Sequence, residues 1–445
     1  MFERNALRWL REWKNKADRK PLVLRGARQV GKTSLVYSFA KEFDVFMPFN
    51  LETPEDASLF EKEMPVNQLF DLMCMVKQVT KKGSMLVFLD EIQNSPYAIK
   101  ALRYFYEQLP DVYVIAAGSL LETMINTQVS FPVGRVEYMA LRPATFCEFL
   151  TAIGEQPMRQ LVEQMAVPEV LHQKVMTLFN LYTLVGGMPE AVANYAEKRD
   201  VVALSAVYQT LIAGYADDVE KYQKDGPMRN VLRLIIQKGW QSAASRITFE
   251  HFGNSAYKSR EIGEAMRTLQ KTMLLELVYP TTDTAVPFAE NLKKRPKLLW
   301  LDTGLVNYAA GVQSELFGKT DISDVWRGCI AEHIIGQELW ATSPLFLNRR
   351  RFWVREEKNS QAEIDFLYMS RYGTVPIEVK SGHIAHLKSL QMFMQLSGLR
   401  HAVRFWPGPM LTDTITLNNG NSFILHNLPY YYAGQIDKLT NTYFE

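Results

Sequence analysis

The sequence predicts an α/β protein: a parallel sheet clothed by helices, then a helical segment, a three-helix unit with a β-wing, and a smaller α/β unit at the carboxy end. Three observations predict it. Apolar strand-like runs alternate with helical spacing from about residue 20 to 150, as a parallel sheet requires. The pattern turns mostly helical from Phe146 to about Asp225, and helix and strand signals then recur in two further groupings. At 445 residues the chain is long enough for two to four domains, each with its own core.

The first strand is Pro21-Leu22-Val23-Leu24, and Ser34 to Phe43 has helical spacing. Between them, Gly26-Ala27-Arg28-Gln29-Val30-Gly31-Lys32-Thr33 fits G-x-x-x-x-G-K-[ST], a P-loop at the strand-to-helix turn where such a loop belongs. Phosphate oxygens need several N–H donors aimed at one place, and Gly26 and Gly31 let the backbone curl that tightly. ATP phosphates would lie against residues Gly26 to Ser34. Lys32 would reach the β- and γ-phosphates, Thr33 would offer its hydroxyl to Mg²⁺, and the following helix would direct its positive end at the anion. A chance glycine turn before a lysine is the plainer alternative.

Met85-Leu86-Val87-Phe88-Leu89-Asp90-Glu91 is an apolar run ending in two carboxylates, the pattern of a buried parallel strand whose tip meets the phosphate loop at one sheet edge. Asp90 would hold Mg²⁺ through water, and Glu91 would orient or deprotonate the attacking water. Otherwise both acids cap the next helix. Further strands are expected at Val112 to Ala117, ending Gly118-Ser119, and at Arg135 to Ala140. Ser119 stands where a γ-phosphate sensor would. Arg135, after Gly134, is a candidate to contact a γ-phosphate in its own or a neighbouring subunit. Either is otherwise an ordinary surface residue.

From Phe146 to Asp225 the helical pattern is broken by Gly186-Gly187-Met188-Pro189, and it reads as a lid on the nucleotide site. A winged helix-turn-helix follows. Its helices fall near Met228 to Gly239, Thr248 to Phe252 and Lys258 to Lys271. The wing is Leu274 to Tyr279, a polar hairpin with Lys293-Lys294-Arg295, and Lys297 to Leu301. Arg260, Arg267 and Lys271 project from one face at i, i+7 and i+11, either to meet DNA or as a solvated face on a joining domain.

The remainder orders its elements α-β-β-β-α-β: a helix from Trp326 to Trp340 carrying Glu332, and strands at Phe352 to Arg355, Glu363 to Met369 and Val375 to Lys380. A helix from about Ile384 to Leu396 and a strand from His401 to Trp406 complete it. Asp365 and Glu378-Val379-Lys380 form D-x12-E-x-K. Strand residues i and i+2 share a face, so Glu378 and Lys380 point together, and a hairpin partner would bring Asp365 beside them. Asp365, Glu378 and Glu332 would then bind a second Mg²⁺ or Mn²⁺ through oxygen while Lys380 polarises water, the grouping of a nuclease. The alternative has Glu363, Asp365, Glu378 and Lys380 lining the wet face of an amphipathic sheet. Arg349, Arg350, Arg351 and Arg355 would contact a nucleic-acid backbone or solvent.

Lys+Arg 50 against Asp+Glu 48 gives a net charge of +2, so no bulk positive field exists and nucleic-acid contact must come from local patches. Cys74, Cys147 and Cys329 lie far apart without metal-type spacing, which argues against a disulfide framework or zinc site and fits a reducing cytoplasm. The first residues lack a signal-peptide core, and no apolar stretch approaches the roughly 20 residues that span a bilayer, so a soluble protein with no membrane partner is expected.

Gly26 to Thr33, Leu89-Asp90-Glu91, Ala117-Gly118-Ser119, Gly134-Arg135, Leu141-Arg142-Pro143, Gly186 to Glu190, Leu301 to Leu305, Arg327-Gly328, Glu363 to Phe366 and Ile377 to Lys380 together carry a family resemblance. The chain resembles bacterial and archaeal P-loop ATPases of the AAA+ type with a carboxy-terminal domain of uncharacterised function, DUF4143-like. The resemblance implies an ATPase core, a winged-helix segment and a carboxy-terminal fold similar to restriction-endonuclease-like enzymes. This sequence departs from the archetypal nuclease pattern in having Ile364 rather than proline before Asp365. The expected domains are 1–145, the P-loop core; 146–225, the lid; 226–310, the winged helix; and 311–445, the endonuclease-like part. The expected function is a Mg²⁺-dependent ATPase whose cycle controls DNA-linked winged-helix and nuclease-like domains. The alternative is a nucleotide-switched DNA- or protein-binding scaffold with no nuclease activity. Expected partners are ATP, DNA, a protein, or a second copy in a homo-oligomer.

Overall fold

In the computed structural model, which describes residues 2–118, 131–222, 226–312, 324–347, 349–355, 357, 362–382 and 387–444, five strands share the first sheet. They are β1 (Leu22–Arg25), β2 (Val45–Asn50), β3 (Met85–Asp90), β4 (Tyr113–Gly118) and β5 (Glu137–Ala140), in the order β2-β3-β4-β1-β5 with every pair parallel. Strands buried on both faces must be apolar at nearly every position, which is why β1 and β3 read as unbroken runs. Alternate residues serve opposite cores. Val23, Val87 and Ala116 pack with the helices Val66–Val76 and Pro96–Gln108, whereas Leu24, Phe88 and Ile115 pack with Ala6–Lys14 and Lys32–Ala40. The register Leu24↔Ala117 and Leu89↔Ala116 brings the carboxy ends of β1, β3 and β4 to one edge.

Five helices follow: Phe146–Ala152, Gln156–Gln164, Glu169–Val185, Pro189–Lys198 and Leu204–Tyr222. A capping box between Thr145 and Glu148 starts the first, and Pro189, whose missing N–H costs nothing in a first turn, starts the fourth. The chain then forms the helix Gly226–Lys238, β6 (Ser245–Arg246), the helix Ser259–Lys271, β7 (Leu275–Val278), β8 (Pro280–Thr281) and β9 (Lys297–Trp300). β6, β9 and β7 make an antiparallel sheet in that order. Its core is the stacked pair Trp240 and Trp300, ring centroids 3.8 Å apart, and Gly239 is required there because a Cβ would lie 2.7 Å from the Trp300 ring.

The carboxy-terminal part comprises the helix Asp324–Ala341, β10 (Phe352–Val354), β11 (Glu363–Ile364), β12 (Phe366–Ser370), β13 (Gly373–Val379), the helix Lys388–Ser397, β14 (His401–Trp406), β15 (Leu411–Thr416), β16 (Ser422–Pro429) and the helix Ile436–Tyr443. Its main sheet runs β12-β13-β14-β16-β15. A smaller sheet, β11-β10-β8, borrows β8 from the preceding unit, so the two parts are stitched by backbone hydrogen bonds. Cys329 lies on the same seam, its Sγ 3.9 Å from Ser245 Oγ. One apolar cluster includes Phe146, Leu232, Trp300, Ile335 and Tyr431, so it runs from the helical segment through to the carboxy-terminal part. No helix among the described residues is long and apolar enough to cross a membrane.

The basic run separates rather than forming one surface. Arg349 is exposed, but Arg350 is buried, its Nε donating to Glu276 at 2.7 Å and its guanidinium 4.4 Å from the Trp340 ring centroid. An arginine tied into a carboxylate and an indole packs the core and does not meet a nucleic-acid backbone.

Candidate functional site

β1 ends at Arg25, and the helix Lys32–Ala40 opens with Gly31 as its N-cap at φ 95°, a left-handed conformation that glycine adopts without cost. Gln29, at φ 62°, adopts the same region without that excuse, as does Glu91 at φ 50° after β3. Such residues cost about 1–3 kcal/mol each and cluster where function holds them. Gly26 has a steric reason of its own, since a Cβ would meet the Leu141 carbonyl at 2.6 Å.

Lys32 is 6% exposed, and its Nζ donates to the carbonyls of Gly26 and Ala27 at 2.9 Å each. Burial lowers this ammonium to about 8, against the pull of Glu91 and Asp90. Thr33 Oγ1 donates to Asp90 Oδ2 at 2.7 Å, so hydroxyl and carboxylate lie side by side at the sheet edge, and burial raises the Asp90 carboxyl. These are hard oxygen donors of the kind Mg²⁺ takes. Glu91 stands at the N-cap of the turn Ile92–Asn94 but makes no side-chain capping bond; it accepts instead from Gln93 Nε2.

The loop forms one wall of a cavity of about 630 Å³. Arg28, Lys32 and Thr33 supply its polar end, with Glu91 and Glu190 also in the lining, and Phe2, Leu7 and Pro189 its apolar side. Such a pocket suits a polyanion carrying a flat apolar group. The loop is legible in the sequence; the amino-terminal helix Ala6–Lys14, whose Leu7 lines the cavity, is not. Just ahead of that helix, Arg4 donates to Glu148, to the carbonyl of Val30 and to the carbonyl of Arg142, clamping the loop to the next segment. From above, Arg28 pairs with Asp218, and Tyr215 Oη donates to the Arg28 carbonyl at 3.3 Å, both from the helix Leu204–Tyr222.

Arg135 does not join this site within the chain. β5 runs parallel to β1 with Leu22 opposite Glu137, so Arg135 precedes β5 at the amino edge, whereas the loop follows β1 at the carboxy edge. Its Nε pairs with Glu107 at 2.9 Å. Ser119 lies outside the described residues.

The turn Gly186-Gly187-Met188-Pro189 connects the cavity to the rest of the molecule. Asp302, fully buried, accepts from the Gly187 amide at 2.5 Å and the Leu305 amide at 3.0 Å, and Gln337 Nε2 reaches it at 3.3 Å. The fit leaves no side-chain room: a Cβ at Gly186 would stand 2.3 Å from Asp302 Oδ1, at Gly187 2.3 Å from the Ala144 carbonyl, at Gly304 2.5 Å from the Val185 carbonyl. Beside it Glu338 Oε1 accepts from the Phe146 amide at 2.9 Å and from Tyr182 Oη at 2.7 Å. Core, helical segment and carboxy-terminal part thus meet at one buried polar junction.

A second grouping surrounds Asp365. The β12–β13 hairpin pairs Phe366 with Ile377, which sets Asp365 against Glu378, and Asp365 Oδ2 accepts from the Val379 amide at 2.7 Å. Glu378 is buried and pairs through Oε1 with Lys380. Glu332 interacts electrostatically with Asp365 and Glu363, and burial raises the carboxyls of Glu332, Asp365 and Glu378 alike. Of the sheet's charged positions Glu378 is buried, whereas Glu363, Asp365 and Lys380 are half-buried. Among them, unmarked by any motif, lies Lys297 of β9, 2% exposed, paired with Glu332 and, at 2.8 Å, with Glu363. A lysine opening the apolar run Leu298-Leu299-Trp300 was the only local sign of it. Among the described residues no group of three or more His, Cys, Asp or Glu is arranged to hold a metal ion. Arg260, Arg267 and Lys271 are all exposed along one side of the helix Ser259–Lys271, opposite the buried Ile262, Met266 and Leu269.

Residues 18–150 match the AAA domain family, residues 176–316 a domain of unknown function (DUF8612), and residues 327–413 a domain of unknown function (DUF4143). The middle match spans the boundary expected near residue 225. No curated protein matches the chain. Among solved structures, a Walker-type ATPase of Pyrococcus abyssi is similar at 15% identity and TM-score 0.43 over 70% of this chain and 96% of that one. A signal-transduction ATPase with a tetratricopeptide repeat sensor from Pyrococcus horikoshii is similar at 12% identity and TM-score 0.28 over 75% and 45% of the two chains. Drosophila ORC bound to DNA gives 15% identity and TM-score 0.26 over 88% and 94%.

Proposed function

We propose, starting from a chain that carries an AAA-type P-loop domain ahead of a DUF4143 domain, that the protein binds ATP with Mg²⁺ in the 630 Å³ cavity and hydrolyses it, and that occupancy is relayed through the Asp302 junction to residues 226–310 and the carboxy-terminal domain. One observation carries this reading: the wall of the cavity facing the loop includes Pro189 and Glu190, and the amide of Gly187, two residues earlier, is held by Asp302.

In this reading Lys32 exchanges the carbonyls of Gly26 and Ala27 for phosphate oxygens, and Thr33 and Asp90 hold the metal. Mg²⁺, when bound, neutralises phosphate charge. Glu91, held in its left-handed turn and hydrogen-bonded by Gln93, orients the attacking water and receives its proton. Arg135 serves only a neighbouring copy's nucleotide, because its own lies across the sheet.

Phosphate release by the purified chain in Mg²⁺ and ATP tests this. Lys32→Ala should lose ATP binding, whereas Glu91→Gln should bind ATP and turn over about 100-fold more slowly or worse. Normal turnover in Lys32→Ala, or calorimetry showing no adenine-nucleotide binding, overturns the proposal. A second reading, a nucleotide-switched DNA-binding scaffold without nuclease activity, is favoured by the exposed face of Arg260, Arg267 and Lys271. Duplex-DNA anisotropy with and without ATP should then lose its salt dependence stepwise as these residues are replaced, while plasmid stays uncut in Mg²⁺ or Mn²⁺.

A further inference from the structure

The carboxylates of Glu332, Glu363, Asp365 and Glu378 all belong to the carboxy-terminal part, yet the ammonium among them arrives from the unit before it. Lys297 opens β9 and is the cross-strand partner of Arg246 in β6, whose guanidinium stands 3.6 Å from Glu363 Oε2. The two neighbouring strands thus present two cations side by side to the acidic cluster. Lys297 Nζ pairs with Glu332 and Glu363, while the rings of Phe352 and Phe366 lie 4.6 and 5.9 Å away. Burial alone would lower this ammonium; Glu332, Glu363 and Asp365 outweigh burial and hold it charged.

An isolated buried ammonium is untenable, and so is a cluster of carboxylates without a cation. Each is the other's reason for being there. Glu378, 4% exposed, pairs with Lys380 through Oε1, while its Oε2 has no hydrogen-bond partner among the described residues. A divalent cation takes carboxylate oxygens of this kind, and here two of the carboxylates, Glu332 and Glu363, are paired with the chain's own lysine instead.

We propose that Lys297 is the resident cation of this cluster, standing where a divalent metal would sit, so that the unit carrying β6 and β9 closes the carboxy-terminal site to metal while it is docked. The hairpin brings Asp365 and Glu378 of the D-x12-E-x-K pattern together, and the ammonium beside them, paired with Glu332 and Glu363, comes from outside the pattern.

The test uses the full chain free of nucleotide and Mn²⁺ as the probe, bound ion being counted by electron paramagnetic resonance. Wild type should show no Mn²⁺ binding that depends on Asp365. Lys297→Met should gain about one equivalent, lost again on adding Asp365→Asn, and Lys297→Arg should stay closed. Asp365-dependent Mn²⁺ binding by wild type overturns the proposal, as does a Lys297→Met protein that is folded by circular dichroism and gains no such ion. Should Lys297→Met not fold, Lys297→Met/Glu332→Gln removes both members of the pair and is read the same way. Melting gives an independent reading: Mn²⁺ that stabilises wild type but not Asp365→Asn also overturns it.

Discussion

Lys32 holds its charge against burial, and that has a measurable cost. With burial lowering it to about 8, the free protein at pH 9 has largely lost this proton, while phosphates next to the group favour the charged form. Nucleotide binding should therefore take up close to one proton at pH 9 and almost none at pH 6.5. Affinity should fall up to about tenfold per pH unit above 8. Calorimetry in buffers of different ionisation enthalpy measures the uptake, and absence of uptake at pH 9 would remove Lys32 from the phosphates. His333 is lowered by burial as well, and far enough to stay neutral. The Trp300 amide donates to its Nε2 at 3.0 Å, so the ring must be neutral, and burial lowers it to about 3. The unfolded chain gains a proton near pH 6.5 and the folded chain does not, so stability should drain away between about pH 6.5 and 3. Denaturant titrations should show a shallower acid loss in His333→Gln than in wild type.

At the scale of elements, the turn Gly186 to Pro189 is fixed by the buried Asp302 carboxylate and by backbone packed closely against it. Gly186→Ala sets a methyl 2.3 Å from Asp302 Oδ1 at φ 67°, and should cost about 2 kcal/mol or more, read from urea unfolding. Gly154→Ala, also at positive φ but with open space around it, is the comparison, and should cost about 1 kcal/mol. An equal loss at both positions would show that strain alone, without the junction, sets the effect. The same contrast explains what could be read beforehand. β1 and β3 were legible because burial on both faces leaves no polar interruption. β15 was not, because Leu411–Thr416 is a mostly exposed edge strand whose polar side chains say loop, and only its pairing with β16 makes it a strand. The phosphate loop and acidic tip were legible because their chemistry is local in sequence. Arg4, Asp302 and Lys297 were not, since each acquires its meaning from partners that only the tertiary fold supplies.

For the whole molecule, the question is how far a ligand at the loop is felt. Occupancy should slow amide exchange at the start of the helix Pro189–Lys198 and onward into Thr303–Ala309, which Asp302 caps through the Leu305 amide. In Asp302→Asn, protection should stop at the first of these helices; unchanged protection of Thr303–Ala309 would mean the junction carries nothing. The pair Arg28–Asp218 ties the helix Leu204–Tyr222 to the same loop, giving the ligand a second handle on that helix.

Cys74 and Cys147 are buried, whereas Cys329 is half-open at the seam against Ser245. The unaltered chain therefore carries its own reporter. A maleimide dye should attach at one position, slowly near neutrality because burial raises that thiol, and the labelling rate would time how often the two halves of the molecule part company.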